Sequence, residues 1–206
     1  MLFRSRARFT HDWRRIIRGN WQTFAPACAR TYIPASHVQG THHLNCTNSI
    51  LMALEIERKF LVIGDAWKDH VTDQFQLKQG YLQSTPERTV RIRTAEKEAF
   101  LTIKGKTTGI SRVEYEYAIP FKEGLELLKL SENKPIEKIR HIVVHHGITW
   151  EIDVFEGLNA GLILAEVELQ TEHQEISLPE WVGKEVSQDA RYYNAALSIQ
   201  PYSQWE

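Results

Sequence analysis

The sequence contains little cysteine and no long apolar run. Only Cys28 and Cys46 are present among 206 residues, and both precede residue 52. The remainder of the chain therefore has neither a disulfide framework nor a thiolate metal site, and a reducing cytoplasm would suit it. No stretch approaches the roughly 18 apolar residues that a membrane-spanning helix needs, so the sequence predicts no membrane partner.

The first 51 residues lack lysine and contain one acid, Asp12, against seven arginines. They show no sustained helical or strand period, so we expect a poorly structured basic leader. We interpret it first as an upstream extension of a chain that begins at Met52. The alternatives are an organelle-targeting peptide and a basic patch that binds nucleic acid or a membrane surface. A secretory signal is disfavoured because no apolar segment follows the basic start.

After Met52 the pattern changes to short β-branched and aromatic runs separated by turn residues, which is typical of strands. It predicts strands near residues 54–63, 76–84, 88–95, 98–105, 111–120, 136–146, 148–156 and 163–171. It also predicts a short helix within residues 122–131, a final helix near 189–198 that begins at Asp189 or Ser187, and tight hairpins at Gly147 and around Glu96. Residues 52–206 should form one mainly β domain.

Charged residues recur at every second position of these strands. Side chains i and i+2 share one face of a strand, so Glu55, Glu57 and Lys59 should project together, and Arg58 should not. The same spacing links Arg91 with Arg93, Thr102 with Lys104, Arg112 with Glu114 and Glu116, Lys138 with Arg140, Glu151 with Asp153, and Glu166 with Glu168. On any single strand, the simplest explanation is a half-buried sheet whose charged face meets water.

The signs of these pairs favour a different arrangement. Several pairs are like-signed, whereas a solvated face usually mixes signs so that cross-strand neighbours relieve one another. About eight antiparallel strands can close into a barrel whose interior admits side chains or one small ligand. A lumen lined by bases and carboxylates would suit a polyphosphate, with Lys and Arg on its oxygens and carboxylates on Mg²⁺ or Mn²⁺.

The chain from Met52 to about Pro201 resembles the CYTH superfamily, the triphosphate tunnel metalloenzymes, in their short single-domain bacterial form. The resemblance rests on an ordered set of motifs: Glu-x-Glu-x-Lys at 55–59, LKQGYL at 77–82, RIR at 91–93, LTIK at 101–104, RVEYE at 112–116, EKIR at 137–140, EIDVF at 151–155, AEVEL at 165–169 and DARYYN at 189–194. It implies a mainly β fold, a closed antiparallel eight-stranded β-barrel tunnel with a few flanking helices and a C-terminal plug helix.

The resemblance also implies roles for individual residues. Phosphate oxygens would be bound by Lys59, Arg91, Arg93, Lys104, Arg112, Lys138, Arg140, Arg191 and Tyr192, with Asn194 as a further candidate near the plug. Mg²⁺ or Mn²⁺ would be held by Glu55, Glu57, Glu114, Asp153, Glu166 and Glu168. Lys59, Arg112 and Glu168 are the candidate catalytic residues. Glu116 and Glu151 fit as outer-shell partners or wall charges. Ala195 stands where some relatives carry a lysine, so that cation is missing here.

The activity implied is hydrolysis of a terminal phosphoanhydride by a divalent-metal-dependent triphosphatase. Inorganic tripolyphosphate, cleaved to pyrophosphate and phosphate, is the first choice because no residue stands out as a purine or thiazole reader. The alternatives are a nucleoside or thiamine triphosphatase and a class IV-type adenylate cyclase. A non-catalytic polyphosphate-binding module belongs to a different class, and inward carboxylates that repel an anion argue against it. The expected partner is a small triphosphate rather than a specific nucleic acid, and a homodimer stays open.

Overall fold

The computed structural model describes residues 54–205, which form nine strands and two α-helices. The strands are β1 Leu54–Val62, β2 Val71–Ser84, β3 Arg88–Ala95, β4 Glu98–Gly105, β5 Ser111–Ile119, β6 Ile136–His145, β7 Ile148–Phe155, β8 Ile163–Glu168 and β9 Val182–Glu185. The helices are α1 Phe121–Leu128 and α2 Asn194–Ile199, and single 3₁₀ turns cover Ala66–His70, Gly157–Asn159, Ala190–Tyr192 and Tyr202–Gln204. The basic leader lies outside the described residues.

Strands β1 to β8 form a closed antiparallel barrel with the order β5-β4-β3-β2-β6-β7-β8-β1. Strand β1 closes it, because Leu54–Ile56 pair with β5 while Glu57–Leu61 pair with β8. The predicted eight-stranded barrel is therefore confirmed. Strand β9 was not predicted, and it pairs with the second half of β1 outside the circuit.

The observed elements depart from the predicted ones mainly at their ends. Strand β2 begins at Val71, where it pairs with Val143 of β6, rather than at residue 76. The predicted tight turn at Gly147 is present, with positive φ at His146 and Gly147 (49° and 78°), as a two-residue hairpin of the primed type requires. The predicted final helix is divided, since a 3₁₀ turn precedes α2 and Asp189 caps that turn by accepting a hydrogen bond from the backbone N–H of Arg191.

The main apolar core lies on the outer surface of the barrel wall. Its buried members are Ile56, Phe60, Trp67, Val143, Trp150, Ile152, Ala165, Val167, Leu169 and Trp181. Trp67 and Trp181 come from connecting segments, and they pack against His141 of β6 and Trp150 of β7 respectively. Helix α1 covers β3 and β4 so closely that a Cβ on Gly124 would lie 2.3 Å from Ala99. Most outward apolar side chains are covered in this way, although Ile103, Tyr115 and Tyr117 of β4 and β5 stay exposed, and the polar faces of the strands line the interior.

A second apolar cluster closes one end of the barrel. It contains Tyr81, Ile136, Phe155, Leu162, Leu164, Val186 and the fully buried Leu197 of α2. Phe155 pairs directly with Lys138, and Leu164 pairs with Asp153, so these apolar side chains share the inward face with charged ones. The C-terminal helix therefore occupies the position predicted for a plug. Within the part of the chain described here, no helix is long and apolar enough to cross a membrane.

Candidate active site

The predicted alternation of β1 is present in the structure. Lys59 is 7% exposed and contacts Glu57 and Glu166, whereas Ile56 and Phe60 belong to the outer core. Arg58 points to the outside, where its Nη2 donates to Glu185 of β9 at 2.6 Å. Adjacent residues of one strand therefore serve two different environments.

The strand register then brings charged residues of neighbouring strands together on the lumen face. Directly opposed residues point to the same side of a sheet. These opposed pairs are Glu55 with Arg112, Glu57 with Glu168, Lys59 with Glu166, Arg91 with Thr102, Thr102 with Glu116, Lys104 with Glu114, Arg140 with Asp153, and Glu151 with Glu166. The lumen is thus lined by bases and carboxylates in one continuous belt.

Arg140 is at the centre of the most deeply buried charge network. Its Nε and Nη2 donate to the two carboxylate oxygens of Asp153, each at 2.7 Å, and its Nη2 also donates to Glu166 at 2.7 Å. Asp153 is fully buried and also accepts from Lys138, which is 1% exposed. Burial acts against the charged form of arginine, but Asp153 and Glu151 hold the pKa of Arg140 well above its usual range. Such paired charges are stable only because each has its partner.

Lys59 and Glu166 form the other half of this network. Burial alone would raise the pKa of Glu166, but Lys59, Lys138 and Arg140 hold that pKa well below its usual value. In the same way, burial alone would lower the pKa of Lys59, yet Glu166 and Glu57 raise it. Lys59 is therefore a permanent cation at neutral pH, and its ammonium group acts by charge rather than as a base.

A second network lies where β1 meets β5. Glu55 accepts from Lys104 Nζ at 2.8 Å and from Arg112 Nε at 2.6 Å, and Lys104 also lies 3.0 Å from Glu114. Burial would raise the pKa of Glu55, but Lys104 and Arg112 outweigh it and hold the pKa well below the usual value. Glu55 is thus ionised and already neutralised.

A third network joins β3, β4 and β5. Arg93 Nη2 donates to both oxygens of Glu116 at 2.9 and 3.1 Å, and the Thr102 hydroxyl donates to Glu116 at 2.8 Å. Arg91 Nη2 donates to the Thr102 oxygen at 3.1 Å and lies 3.8 Å from Glu114. The Nε atoms of Arg91 and Arg93 are buried, and neither has a hydrogen-bond partner among residues 54–205. Each of these two guanidinium groups therefore has an N–H donor that no described residue accepts.

Glu57 and Glu168 differ from the other carboxylates. They oppose each other across β1 and β8, and Glu168 makes no hydrogen bond or ion pair with any of the described residues. Burial, followed by the charge of Glu166, raises the pKa of Glu57 to about 7 in spite of Lys59. Glu168 is exposed at the end of β8, but the partial desolvation of its carboxyl group, followed by the charges of Glu151 and Glu55, raises its pKa to about 7 as well. Negative charge is therefore incompletely compensated at this pair.

Arg191 and Tyr192 are not brought to this belt. Arg191 is well exposed, lies 2.7 Å from Asp189, and stacks over Trp205 with 5.3 Å between guanidinium and ring centroid. Tyr192 packs against the apolar cluster at the closed end. Asn194 begins α2, and its Oδ1 is buried without a hydrogen-bond partner in the described part of the chain. The phosphate-binding roles of Arg191 and Tyr192 stay predictions.

Two uncharged residues of the lumen face were missed from the sequence. Gln79 opposes Arg93 and Tyr81 opposes Arg91 across β2 and β3, and Gln79 Nε2 donates to the Tyr81 hydroxyl at 3.1 Å. Burial raises the pKa of Tyr81 although Arg91 acts in the opposite direction. The strand period in LKQGYL places Leu77, Gln79 and Tyr81 on one face. The charged pairs did not reveal this face, because none of its three residues is charged.

The six predicted metal ligands all line the lumen, but in unlike surroundings. Among residues 54–205, no three His, Cys, Asp or Glu side chains form a ready-made metal cluster. The physical reason lies in the ion pairs described above, in which Lys and Arg engage Glu55, Asp153 and Glu166. Glu57 and Glu168 are the carboxylates whose charge is least compensated.

The fold is a closed antiparallel barrel whose lumen is lined by paired bases and carboxylates. This architecture places the protein among the β-barrel tunnel proteins. The family model of the CYTH domain matches residues 53–194. The chain belongs to the CYTH family.

Similar proteins include named triphosphatases. An inorganic triphosphatase of Acetivibrio thermocellus is 44% identical over 156 residues, which cover 75% of this chain and 99% of that protein. An inorganic triphosphatase of Nitrosomonas europaea is 38% identical over 150 residues, which cover 70% of this chain and 97% of that protein. A crystal structure of an inorganic triphosphatase superposes with a TM-score of 0.52 at 36% identity, covering 70% of this chain and 94% of the other.

Proposed function

We propose that this protein hydrolyses inorganic tripolyphosphate to pyrophosphate and phosphate with the help of a divalent cation. The observation that carries the proposal is the lumen itself, which is lined both by buried arginines with unpaired Nε donors and by carboxylates whose negative charge is incompletely compensated. The names of the relatives at 44% and 38% identity support the same substrate. The activity is assigned to residues 52–206, and the absence of cysteine from them suits a reducing cytoplasm.

The proposed phosphate-binding residues are those whose cationic groups line the lumen, namely Lys59, Arg91, Arg93, Lys104, Arg112, Lys138 and Arg140. Guanidinium and ammonium groups donate charge-assisted hydrogen bonds to phosphate oxygens, and arginine can do so in bidentate fashion. The Nε donors of Arg91 and Arg93 are buried without a partner among residues 54–205, and a phosphate oxygen that reached them would satisfy them. The other bases are engaged by carboxylates, so a phosphate chain that enters must compete for them.

The carboxylates fit Mg²⁺ or Mn²⁺, since both ions prefer oxygen ligands. Glu57 and Glu168 are the leading candidates, because a dication would offset the desolvation and the neighbouring negative charges that raise their pKa, chiefly the charge of Glu166 for Glu57 and that of Glu151 for Glu168. Glu55, Glu114, Asp153 and Glu166 would be free to contribute once their basic partners turn to phosphate oxygens. When bound, the cation would neutralise the phosphate chain and withdraw charge from the phosphorus that is attacked.

The catalytic roles follow from charge and pKa. Lys59 is permanently protonated, and its Nζ would stabilise the charge that develops on the transferred phosphoryl group. Arg112, whose side chain is 25% exposed, would hold the phosphate chain near the junction of β1 and β5. Glu168 has no side-chain partner among residues 54–205, so one of its carboxylate oxygens would be available to accept the proton of the attacking water.

The test is a metal-by-substrate screen on the purified protein. Tripolyphosphate, ATP and thiamine triphosphate would each be incubated with Mg²⁺, Mn²⁺ or EDTA, and phosphate release and cyclic AMP would be measured. We expect phosphate release from tripolyphosphate to be the fastest reaction and to stop in EDTA. Cyclic AMP and pyrophosphate from ATP as the main products, or tight tripolyphosphate binding without metal-dependent turnover, would contradict the proposal.

A further inference from the structure

We propose that Glu116 is a positioning residue, which fixes the guanidinium groups of Arg91 and Arg93 for the substrate phosphates and does not bind the metal. The inference rests on the proposed function, because it concerns the same lumen. It assigns a role to one lumen carboxylate that differs from the role of Glu57 and Glu168.

The placement of Glu116 follows from three strands in register. Glu116 on β5 opposes Thr102 on β4, and Thr102 opposes Arg91 on β3. Arg93 lies two residues further along β3, on the same face as Arg91. One carboxylate and one hydroxyl therefore lie within reach of two neighbouring guanidinium groups.

The carboxylate of Glu116 is fully used by these neighbours. Its Oε2 accepts from Thr102 at 2.8 Å, from Arg93 at 2.9 Å and from Arg91 at 3.5 Å, and its Oε1 accepts from Arg93 at 3.1 Å. Glu168, in contrast, has no such partner among residues 54–205. A metal ion at Glu116 would have to displace two arginines and a threonine, whereas the Glu57 and Glu168 pair gains from a cation directly.

The effect on the arginines is to hold their Nη2 atoms in place, while Nε makes no hydrogen bond with the described residues. The Nη2 atoms of Arg91 and Arg93 are directed to Thr102 and Glu116, while both Nε atoms are buried without a partner in the described part of the chain. Phe100 lies against the Arg93 guanidinium, with 5.7 Å between the guanidinium carbon and the ring centroid. Without the carboxylate, two like charges on one strand face would repel each other, and their side chains would lose a shared orientation.

Loss of Glu116 has two opposing consequences for an anionic ligand. It removes a negative charge, which favours phosphate, and it releases two arginines from a fixed orientation, which disfavours phosphate. Thr102→Val separates these effects, because it removes the hydroxyl that links Arg91 to Glu116 and leaves the charge unchanged. If positioning dominates, Glu116→Gln and Thr102→Val should weaken phosphate binding in the same direction.

The experiment compares Glu116→Gln and Thr102→Val with the parent protein. Binding of sodium tripolyphosphate would be measured by calorimetry in EDTA, and binding of Mn²⁺ to the phosphate-free protein by electron paramagnetic resonance. We expect tripolyphosphate to bind roughly tenfold more weakly to each variant, because charge-assisted hydrogen bonds are lost, with Mn²⁺ affinity unchanged. In steady state, KM for tripolyphosphate should rise more than kcat falls. Glu137→Gln is the matched control, since Glu137 pairs with Lys78 at an exposed site on the outer surface.

The outcomes are distinct. Weaker Mn²⁺ binding by Glu116→Gln with unchanged tripolyphosphate affinity would make Glu116 a metal ligand and overturn the inference. Tighter tripolyphosphate binding by Glu116→Gln would overturn it too, because the carboxylate would then act only as an opposing charge. Normal binding by both variants would show that the arginines need no positioning. If the parent neither binds nor hydrolyses tripolyphosphate, the proposed function fails together with the inference.

Discussion

Two regions of one lumen contain the same kinds of residue in opposite electrostatic states. Where β6, β7 and β8 meet, Asp153 and Glu166 are enclosed by Arg140, Lys138 and Lys59, and the pKa of Glu166 is held well below its usual value. On the same wall, at the pairing of β1 with β8, the pKa values of Glu57 and Glu168 are raised to about 7. The difference shows that the number of bases within reach of each carboxylate, which the packing of neighbouring strands sets, decides how far its charge is neutralised.

The largest effect on stability is expected from removing one charge of the neutralised network around Asp153. Asp153→Asn leaves Arg140 and Lys138 buried without their main counter-charge, which should lower the free energy of unfolding by about 3–5 kcal/mol. Urea denaturation at neutral pH measures this. The control is Glu185→Gln, which removes an exposed partner of Arg58 and should change stability by about 0–1 kcal/mol. Equal effects of the two substitutions would show that the buried network does not depend on Asp153.

A large effect on activity is expected from substitution of Lys59, which faces the lumen, and none from substitution of the adjacent Arg58, which faces outward. Lys59→Gln should lower kcat for tripolyphosphate by about 10²–10³, the range typical for loss of one preorganised group that stabilises developing charge. Arg58→Gln should leave kcat close to that of the parent, because Arg58 lies outside the barrel. Steady-state phosphate release from both variants decides this. Comparable losses in the two variants would be inconsistent with a lumen active site.

A smaller effect on thermal stability is expected when pH or a divalent cation changes the charge of Glu57 and Glu168. The folded pKa values of Glu57 and Glu168, about 7, exceed the reference value of 4.5. Their contribution to stability is thus fully present below pH 4.5 and is lost as pH rises through 7. Glu55, Glu116 and Glu166 act in the opposite direction, but their lowered pKa values place that change below pH 4.5.

We therefore expect the Tm of the metal-free protein to fall by a few degrees at most between pH 5 and pH 8, because solvent screens the exposed Glu168, and Mg²⁺ or Mn²⁺ to restore it most strongly at pH 8. Thermal denaturation in EDTA measures the fall. Glu168→Gln should reduce both the fall and the restoration by the cation. A variant whose Tm follows pH as steeply as that of the parent would remove the pair as the cause.

Much of the barrel was predictable from sequence because its signal is local. Side chains alternate with period two whatever the strand pairs with, so the orientation of Glu55, Glu57 and Lys59 against Ile56, Arg58 and Phe60 follows from their spacing alone. Strand β9 was missed because VGKE is only four residues long and has no apolar alternation. The early part of β2 was missed because the three residues between Val71 and Phe75 are all polar, a pattern typical of a loop.

The site was predictable as a set of residues but not as a set of interactions. The strand spacing places Glu116 and Glu114 on one face and does not distinguish them, so their different predicted roles rested on the family resemblance alone. Only the register sets Glu116 opposite Thr102 and beside two arginines, and Glu114 opposite Lys104. The same limitation applies to Arg191, whose position beside Asp189 and Trp205 depends on how the segment before α2 turns.

By itself the amino-acid sequence determined which residues face the lumen, how many strands form the barrel wall and which chemical groups are available there. These properties depend on local geometry, which each strand carries within itself. The tertiary structure decided which bases neutralise which carboxylates, because those pairings join residues as distant as Lys59 and Glu166. It left the charge of Glu57 and Glu168 incompletely compensated, since they oppose each other and Lys59 is the base in contact with Glu57 among the described residues.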